Sequence, residues 1–244
     1  MRDPWMDSGA SPKTILGASL LGWYRGDLGI SLGTGVSAWA DQSGNGNNFV
    51  QATGAQQPTQ GTVDGKPALV FSGTQVLSGP TTFPSGAKSC YVVFQLSATP
   101  GSGLFDSLVT LSTGSLWTEL LLSNISGAYT NVTFEADFAS GNGVGWNPTL
   151  DTSKHIIGVT YNGGTNTSPA SYTGWEDGSV QTIIASNALG RTAGDLSSIG
   201  GRVSSLNVIS AGFVGSIAEI ILTNNVISGA QATTLQAYLT GRYP

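Results

Sequence analysis

Short apolar runs separated by turn residues make up most of the chain after residue 19. The run 90–96 is apolar at nearly every position, which predicts a central strand covered on both faces. Further runs of strand length lie at 20–24, 36–40, 68–71, 116–122, 128–134, 155–161, 171–175, 180–184 and 216–223. Regularly spaced short strands with Gly, Asn, Asp and Ser between them are typical of a β-sandwich or barrel.

One helix is predicted near the C-terminus. Ser228 followed by Gln231 fits a capping box, in which each side chain accepts a hydrogen bond from the other residue's backbone N–H. Ala232, Leu235 and Leu239 then recur at helical spacing. A helix over about 228–240 should therefore pack one apolar face on the sandwich.

The first residues differ from the rest of the chain. Residues 1–17 show neither a strand nor a helix period, so they are predicted to form an extended arm, with a single sandwich domain over 18–244. Trp5 and Met6 are large apolar side chains that cost free energy when left in water. Docking on a partner and a disordered terminus both fit this composition. We take the arm as an attachment element, anchored by Trp5 and Met6.

Composition narrows the class of partner. Charged residues form only 9% of the chain, and it contains 35 glycines. The net charge is −5 and the few Lys and Arg do not cluster, which argues against a nucleic-acid partner. No apolar stretch reaches the length of a membrane span, and the N-terminus lacks the apolar segment of a signal peptide. The single cysteine, Cys90, is expected to be a buried apolar side chain.

Four segments, at 20–27, 36–47, 65–73 and 215–243, resemble one family in order and spacing. They include Gly22-Trp23-Tyr24-Arg25-Gly26-Asp27 and the W-x-D-x-S-G-N-G-N pattern that begins at Trp39. Together they are similar to the concanavalin A-like lectin/glucanase superfamily, in its laminin-G-like branch. The resemblance implies two antiparallel sheets stacked as a jelly roll. Such domains occur as non-catalytic modules on bacterial surface proteins, polysaccharide-active enzymes and bacteriophage virion proteins.

The W-x-D-x-S-G-N-G-N segment contains a candidate metal loop. Asp41, Ser43, Asn45 and Asn47 occupy positions 1, 3, 5 and 7 of a pattern that matches the first half of an EF-hand calcium loop. Position 12 is Ala52 rather than the bidentate Glu of that motif. We therefore expect a structural turn, with side chains bonded to backbone amides, and no metal or cofactor.

Candidate catalytic groups are few. Glu135 and Asp137 resemble the start of the acidic motif of retaining glucanases, but residues 138–140 supply no second carboxylate. Other acids, including Glu119, are isolated in the sequence. The only histidine, His155, opens a predicted strand and is expected to make a local hydrogen bond. The sequence predicts that the chain is not an enzyme.

Aromatic residues near loops are the candidate ligand-binding groups. Trp146 lies in a Gly- and Asn-rich segment with Asn142 and Asn147, and Trp175 lies beside a predicted hairpin. An exposed ring can stack on the C–H face of a sugar while neighbouring amides bind its hydroxyls. For Trp146, a sugar platform, a subunit contact and a local loop anchor remain open.

Two functions are compatible with these features. The leading expectation is a non-catalytic protein on the exterior of a virus particle, made in the host cytoplasm. It would be a bacteriophage decoration or fibre component, attached through its arm to other virion proteins. Symmetric closure predicts a homo-oligomer, with a trimer favoured over a dimer. The alternative is an extracellular carbohydrate-binding module that recognises a cell-surface polysaccharide.

Overall fold

Two large antiparallel sheets face each other across a hydrophobic core, and a helix covers the outside of one sheet. The structure, a computed structural model, describes residues 10–80, 83–98, 105–112, 116–124, 129–138, 143–185, 196–203 and 208–244. The helices within these ranges are α1 (Pro12–Leu16) and α2 (Gly229–Arg242). Single 3₁₀ turns occupy Gly17–Ser19, Gly54–Gln56 and Pro169–Ser171. Among the described residues, neither helix reaches the length and apolar content of a membrane-crossing segment.

The strands run in chain order along the described ranges. They are β1 (Leu20–Arg25), β2 (Ile30–Leu32), β3 (Val36–Trp39), β4 (Phe49–Val50), β5 (Thr59–Val63), β6 (Lys66–Ser72), β7 (Leu77–Ser78), β8 (Lys88–Leu96), β9 (Phe105–Ser112), β10 (Trp117–Asn124), β11 (Tyr129–Phe138), β12 (Val144–Trp146), β13 (Lys154–Tyr161), β14 (Tyr172–Glu176), β15 (Ser179–Gln181), β16 (Ile184–Ala185), β17 (Ser198–Ile199), β18 (Arg202–Val203), β19 (Ile209–Ser210) and β20 (Val214–Thr223).

The first sheet has the order β15-β14-β13-β8-β20-β6-β5, with β1 also paired to β20. The second sheet has the order β16-β12-β11-β10-β9-β17-β7-β4-β3-β2, and β18 pairs with β19. All ladders within the two sheets are antiparallel, so the predicted two-sheet sandwich with a C-terminal helix is confirmed.

Strands β8 and β20 form the centre of the first sheet. Strand β20 pairs with β8 along most of its length, while its other edge is shared by two partners. Residues 214–217 lie opposite β6, and residues 219–223 lie opposite β1. The register shifts between Ile217 and Glu219, where the partner changes. Both strands are apolar on both faces because one face meets the core between the sheets and the other meets the helices.

Helix α2 begins as the sequence predicts. The Ser228 side chain accepts a hydrogen bond from the Gln231 backbone, and the Gln231 side chain accepts one from the Ser228 backbone. The helix then buries Leu235 and Leu239 against the outer face of the first sheet. A helix that carries an apolar stripe gains its stability from this packing rather than from propensity alone.

Residues Pro12–Leu16, which precede β1, are helical rather than extended. Helix α1 begins at an N-cap, Ser11, and its buried Leu16 joins the apolar cluster beneath α2. The Ile15 carbonyl accepts a hydrogen bond of 3.1 Å from the Gln231 side chain. The predicted division into an arm over 1–17 and a domain over 18–244 stays a prediction. Trp5 and Met6 lie outside the described residues.

A buried carboxylate, Glu219, connects β20 to β1 and α2. It accepts hydrogen bonds from Trp23 Nε1 at 2.7 Å and from the Tyr238 and Tyr243 hydroxyls at 2.9 Å each. The Arg242 Nε atom lies 3.3 Å from its second oxygen. Burial raises the pKa of Glu219 from 4.5 to about 7, although these donors and the charge of Arg25 act in the opposite direction.

We predict that the stability of the protein depends on pH through Glu219. Because the folded-state pKa is raised, the folded protein binds more protons than the unfolded chain between about pH 4.5 and 7, so the free energy of unfolding falls as the pH rises through this range. The change is on the order of 3 kcal/mol. The control is Glu219→Gln, which has the shape of the protonated acid and does not titrate. Urea unfolding of both proteins at several pH values measures the difference, and parallel pH profiles would contradict the prediction.

We also predict that Leu235→Asp strongly destabilises the fold. Leu235 is fully buried between α2 and the first sheet, so the substitution places an unpaired charge in an apolar contact and costs about 4 kcal/mol or more. Thermal unfolding measures the loss. Gln236→Asp serves as a control, since Gln236 is only half-buried on the same helix. A melting temperature equal to that of the wild type would mean that the helix does not need this contact.

Candidate functional site

A cavity of about 220 Å³ opens on the outside of the first sheet, between the strands β13 and β14 and the first turn of α2. We call it the Trp175 pocket. Its polar lining comes from Thr160, Asn162, Ser171, Thr173 and Trp175. Its apolar lining comes from Ala170, Tyr172, Val226, Ile227 and Ala232, with Gly229 at the helix start. Among the described residues that line it, none carries a formal charge.

Trp175 forms the aromatic wall of the pocket. It projects from β14 and lies opposite Gly158 of β13, which lies opposite Tyr91 of β8. A methyl group on Gly158 would come within 2.2 Å of the Tyr91 ring, so only glycine leaves room for that ring. The Tyr91 and Trp175 rings stack across the gap, with centroids 5.9 Å apart and planes inclined by 25°. This contact holds a half-buried indole in place at the cavity.

Several hydrogen-bonding groups of the pocket have no partner within the protein. The indole N–H of Trp175, the hydroxyls of Ser171 and Thr173, and the amide NH₂ of Asn162 make no hydrogen bond to the described chain. Ser171 is only 6% exposed, but its hydroxyl is not one of the fully buried unpaired atoms, so it reaches the space of the cavity. The Asn162 side-chain oxygen accepts a hydrogen bond of 2.9 Å from the Gly164 N–H, which leaves the NH₂ group for another acceptor.

An aromatic wall with uncharged donors and hydroxyls is suited to a neutral polyhydroxylated ligand. The ring offers an apolar face, while hydroxyls and an amide exchange hydrogen bonds with ligand hydroxyls. Trp175 is therefore a predicted ligand-binding residue that the structure places in a cavity. The sequence did not identify Ser171 or Asn162, because no local pattern distinguishes them from ordinary turn residues.

Trp146 does not form an exposed platform, which corrects that interpretation of the sequence. Its ring is 2% exposed and packs in the core, and its Nε1 atom donates a hydrogen bond of 2.6 Å to Glu176. It acts as an anchor between β12 and β14. Asn147 is exposed beside it, outside the Trp175 pocket, and Asn142 lies outside the described residues.

His155 makes the local contacts that its position at a strand start suggests. Its Nε2 atom accepts a hydrogen bond of 3.0 Å from the Asp151 backbone, so the proton lies on Nδ1, which is 2.8 Å from Asp177. Burial lowers the pKa of His155, but the hydrogen bonds and charges of Asp177 and Asp151 outweigh it and raise the pKa above 6.5. Glu176 also lies close enough to form a three-residue cluster with His155 and Asp177. Hydrogen bonds to Asp177 and Asp151 thus hold the His155 ring in place beside Glu176.

The loop at Asp41 shows the bonds of a structural turn. The two Asp41 oxygens accept hydrogen bonds from the backbone of Trp23, Ser43 and Asn47 and from the Ser43 hydroxyl. The Asn45 and Asn47 amides donate to backbone carbonyls of β1. The loop thereby fixes β1 at the edge of the first sheet.

Asp137 has a structural partner. It forms an ion pair with the buried Lys88 and accepts a hydrogen bond from the Gly86 backbone. Its backbone has a positive φ of 50°. Asp137, one of the two acids that resemble a glucanase motif, thus forms an ion pair between the two sheets.

Glu119 is not isolated, as the sequence suggested, because it lies directly opposite Glu135 on the neighbouring strand. Both carboxylates are almost fully buried. Arg202 binds Glu119 through two nitrogens, at 2.9 and 2.7 Å, and the Ser107 hydroxyl donates to it at 2.6 Å. Sequence reasoning missed this pair because the register between β10 and β11 is needed to bring the two residues together.

The fold and the pocket define a two-sheet β-sandwich with a neutral, aromatic-walled cavity. No family model matches the sequence. No curated protein matches it either.

Solved structures share the fold. Domain 4 of a GH43 extracellular arabinanase from Geobacillus stearothermophilus, in complex with arabinotriose, is 13% identical with a TM-score of 0.55, over 90% of this chain and 98% of that one. A GH54 α-L-arabinofuranosidase is 15% identical with a TM-score of 0.57, over 95% of this chain and 60% of that one. The binding domain of Paraclostridial Mosquitocidal Protein 1 is 8% identical with a TM-score of 0.55, over 93% of this chain and 52% of that one.

These similarities support the jelly-roll-like sandwich, and the laminin-G-like branch stays a prediction. The prediction that the chain is not an enzyme is corrected, because similar chains include an arabinofuranosidase and a domain of an arabinanase. The fold therefore occurs within glycoside hydrolases, and its presence cannot be used against catalysis.

Proposed function

We propose that the protein is a carbohydrate-binding domain and that the Trp175 pocket is its binding site. The observation that carries this proposal is the set of unused hydrogen-bonding groups beside an aromatic wall, at Asn162, Ser171, Thr173 and Trp175. These groups face the cavity, where a ligand or water can satisfy them. A sugar supplies both the hydroxyls for these groups and the C–H face for the ring.

The comparisons support the same class of ligand. The arabinanase domain that this chain covers almost completely is described in complex with arabinotriose. Neutral oligosaccharides of this kind are therefore the first ligands to test. Attachment to a virus particle through residues 1–17, with trimeric assembly, stays a separate prediction.

We predict that Trp175→Ala and Ser171→Ala weaken sugar binding by about fivefold or more, since each removes a contact of about 1 kcal/mol or more from a small site. Ser171→Ala should leave the melting temperature unchanged, because the hydroxyl has no partner in the folded protein. The matched control is Val180→Ala on β15, where Val180 is 70% exposed and outside the pocket. Calorimetric titration with arabinotriose measures the affinities. Equal affinity in all four proteins would exclude the pocket.

Glycoside hydrolysis is the second candidate function, favoured by one observation. Glu119 and Glu135 lie opposite each other on adjacent strands, where paired Cβ atoms are about 5 Å apart. Retaining glycosidases hold their two carboxyl groups about 5–5.5 Å apart. Against this, Arg202 neutralises Glu119 and both acids are buried, so a substrate needs an opening movement to reach them.

If this pair is catalytic, Glu135→Gln abolishes the release of p-nitrophenol from an aryl arabinofuranoside while sugar binding at the Trp175 pocket stays unchanged. The control is Asp151→Asn, an exposed acid far from the pair in the sequence. Equal activity in the Glu135 variant and the wild type would remove the pair from consideration.

A further inference from the structure

We infer that the Trp175 pocket selects one neutral sugar ring at the end of a chain and rejects acidic sugars. This inference rests on the proposed function and adds the class of sugar and the way in which it is held. It follows from the charge of the pocket lining, the volume of the cavity and the elements that line it.

The lining of the pocket favours neutral sugars over acidic ones. A sugar carboxylate that enters the cavity loses water, and a buried anion needs a cationic partner or several hydrogen bonds. Among the described residues that line the pocket, none is Lys, Arg or His. A hydroxyl of a neutral sugar carries a much smaller desolvation cost.

The size of the cavity limits how many sugar rings it can hold. Its volume of about 220 Å³ is below the range of about 300–1,000 Å³ that accommodates drug-sized ligands. A cavity of this size suits one sugar ring better than several. Its lining comes from the turn that carries Asn162 and Ala170, from β14 and from the start of α2 at Gly229. We therefore take it as a site for the end of a chain, because an internal unit needs a groove open at both ends.

The hydrogen-bonding groups fix how the ring enters. Ser171 is the most buried of the unused groups, and Asn162 and Thr173 are exposed at the rim. The ring therefore lies against Trp175 with one hydroxyl directed inward to Ser171. Its remaining hydroxyls meet the rim, and the glycosidic bond points to solvent.

The experiment compares ligands matched in shape on the full chain. Methyl galactoside and methyl galacturonide differ only by a CH₂OH group and a carboxylate. Methyl arabinofuranoside and arabinotriose compare one sugar ring with three. Titration calorimetry with the wild type, Ser171→Ala and Val180→Ala measures each affinity. We expect the galactoside to bind about tenfold or more tightly than the galacturonide, and arabinotriose to bind within about threefold of the monosaccharide.

The outcomes separate the two proposals. If no sugar binds, or if binding does not depend on Ser171, the proposed function and this inference both fail. If binding depends on Ser171 but the galacturonide binds as tightly as the galactoside, the proposed function stands and the charge selection is wrong. If arabinotriose binds more than about tenfold more tightly than the monosaccharide, the site accepts several rings and the chain-end assignment is wrong.

Discussion

The burial of Glu219 is the constraint on which the outer half of the structure depends. A carboxylate removed from water needs donors, and it obtains them from Trp23 on β1, from Tyr238 within α2 and from Tyr243 after it. These bonds fix the helix against a sheet face that is otherwise largely apolar. Apolar packing has no direction, whereas hydrogen bonds to one carboxylate permit a single position of the helix.

That position creates the Trp175 pocket. Because α2 is fixed across β20 and β1, its first turn lies beside β13 and β14 and lines the cavity. Gly158 then allows Tyr91 to support Trp175 from within the sheet. The wall, the floor and the hydroxyl groups thus belong to rigid elements, so a ligand does not have to order them.

The second sheet contains a separate buried polar network. Glu119 and Glu135 face each other, and Arg202 of β18 supplies the charge that balances Glu119. A buried pair of this kind is costly to break, because either partner alone is left charged in an apolar region. The Trp175 pocket and this carboxylate pair lie on different sheets, so the two proposed functions can be separated by substitution.

The sequence by itself determined the local features. Alternation of apolar residues predicted the strands, Ser228 and Gln231 predicted the start of the helix, and Trp175 was among the candidate ligand-binding residues. Only the tertiary structure decided the rest. It buried Trp146, placed Ser171 and Asn162 beside Trp175, and set Glu119 opposite Glu135. The reason is that strand register and helix docking depend on contacts between distant segments, which the spacing of residues in one segment does not specify.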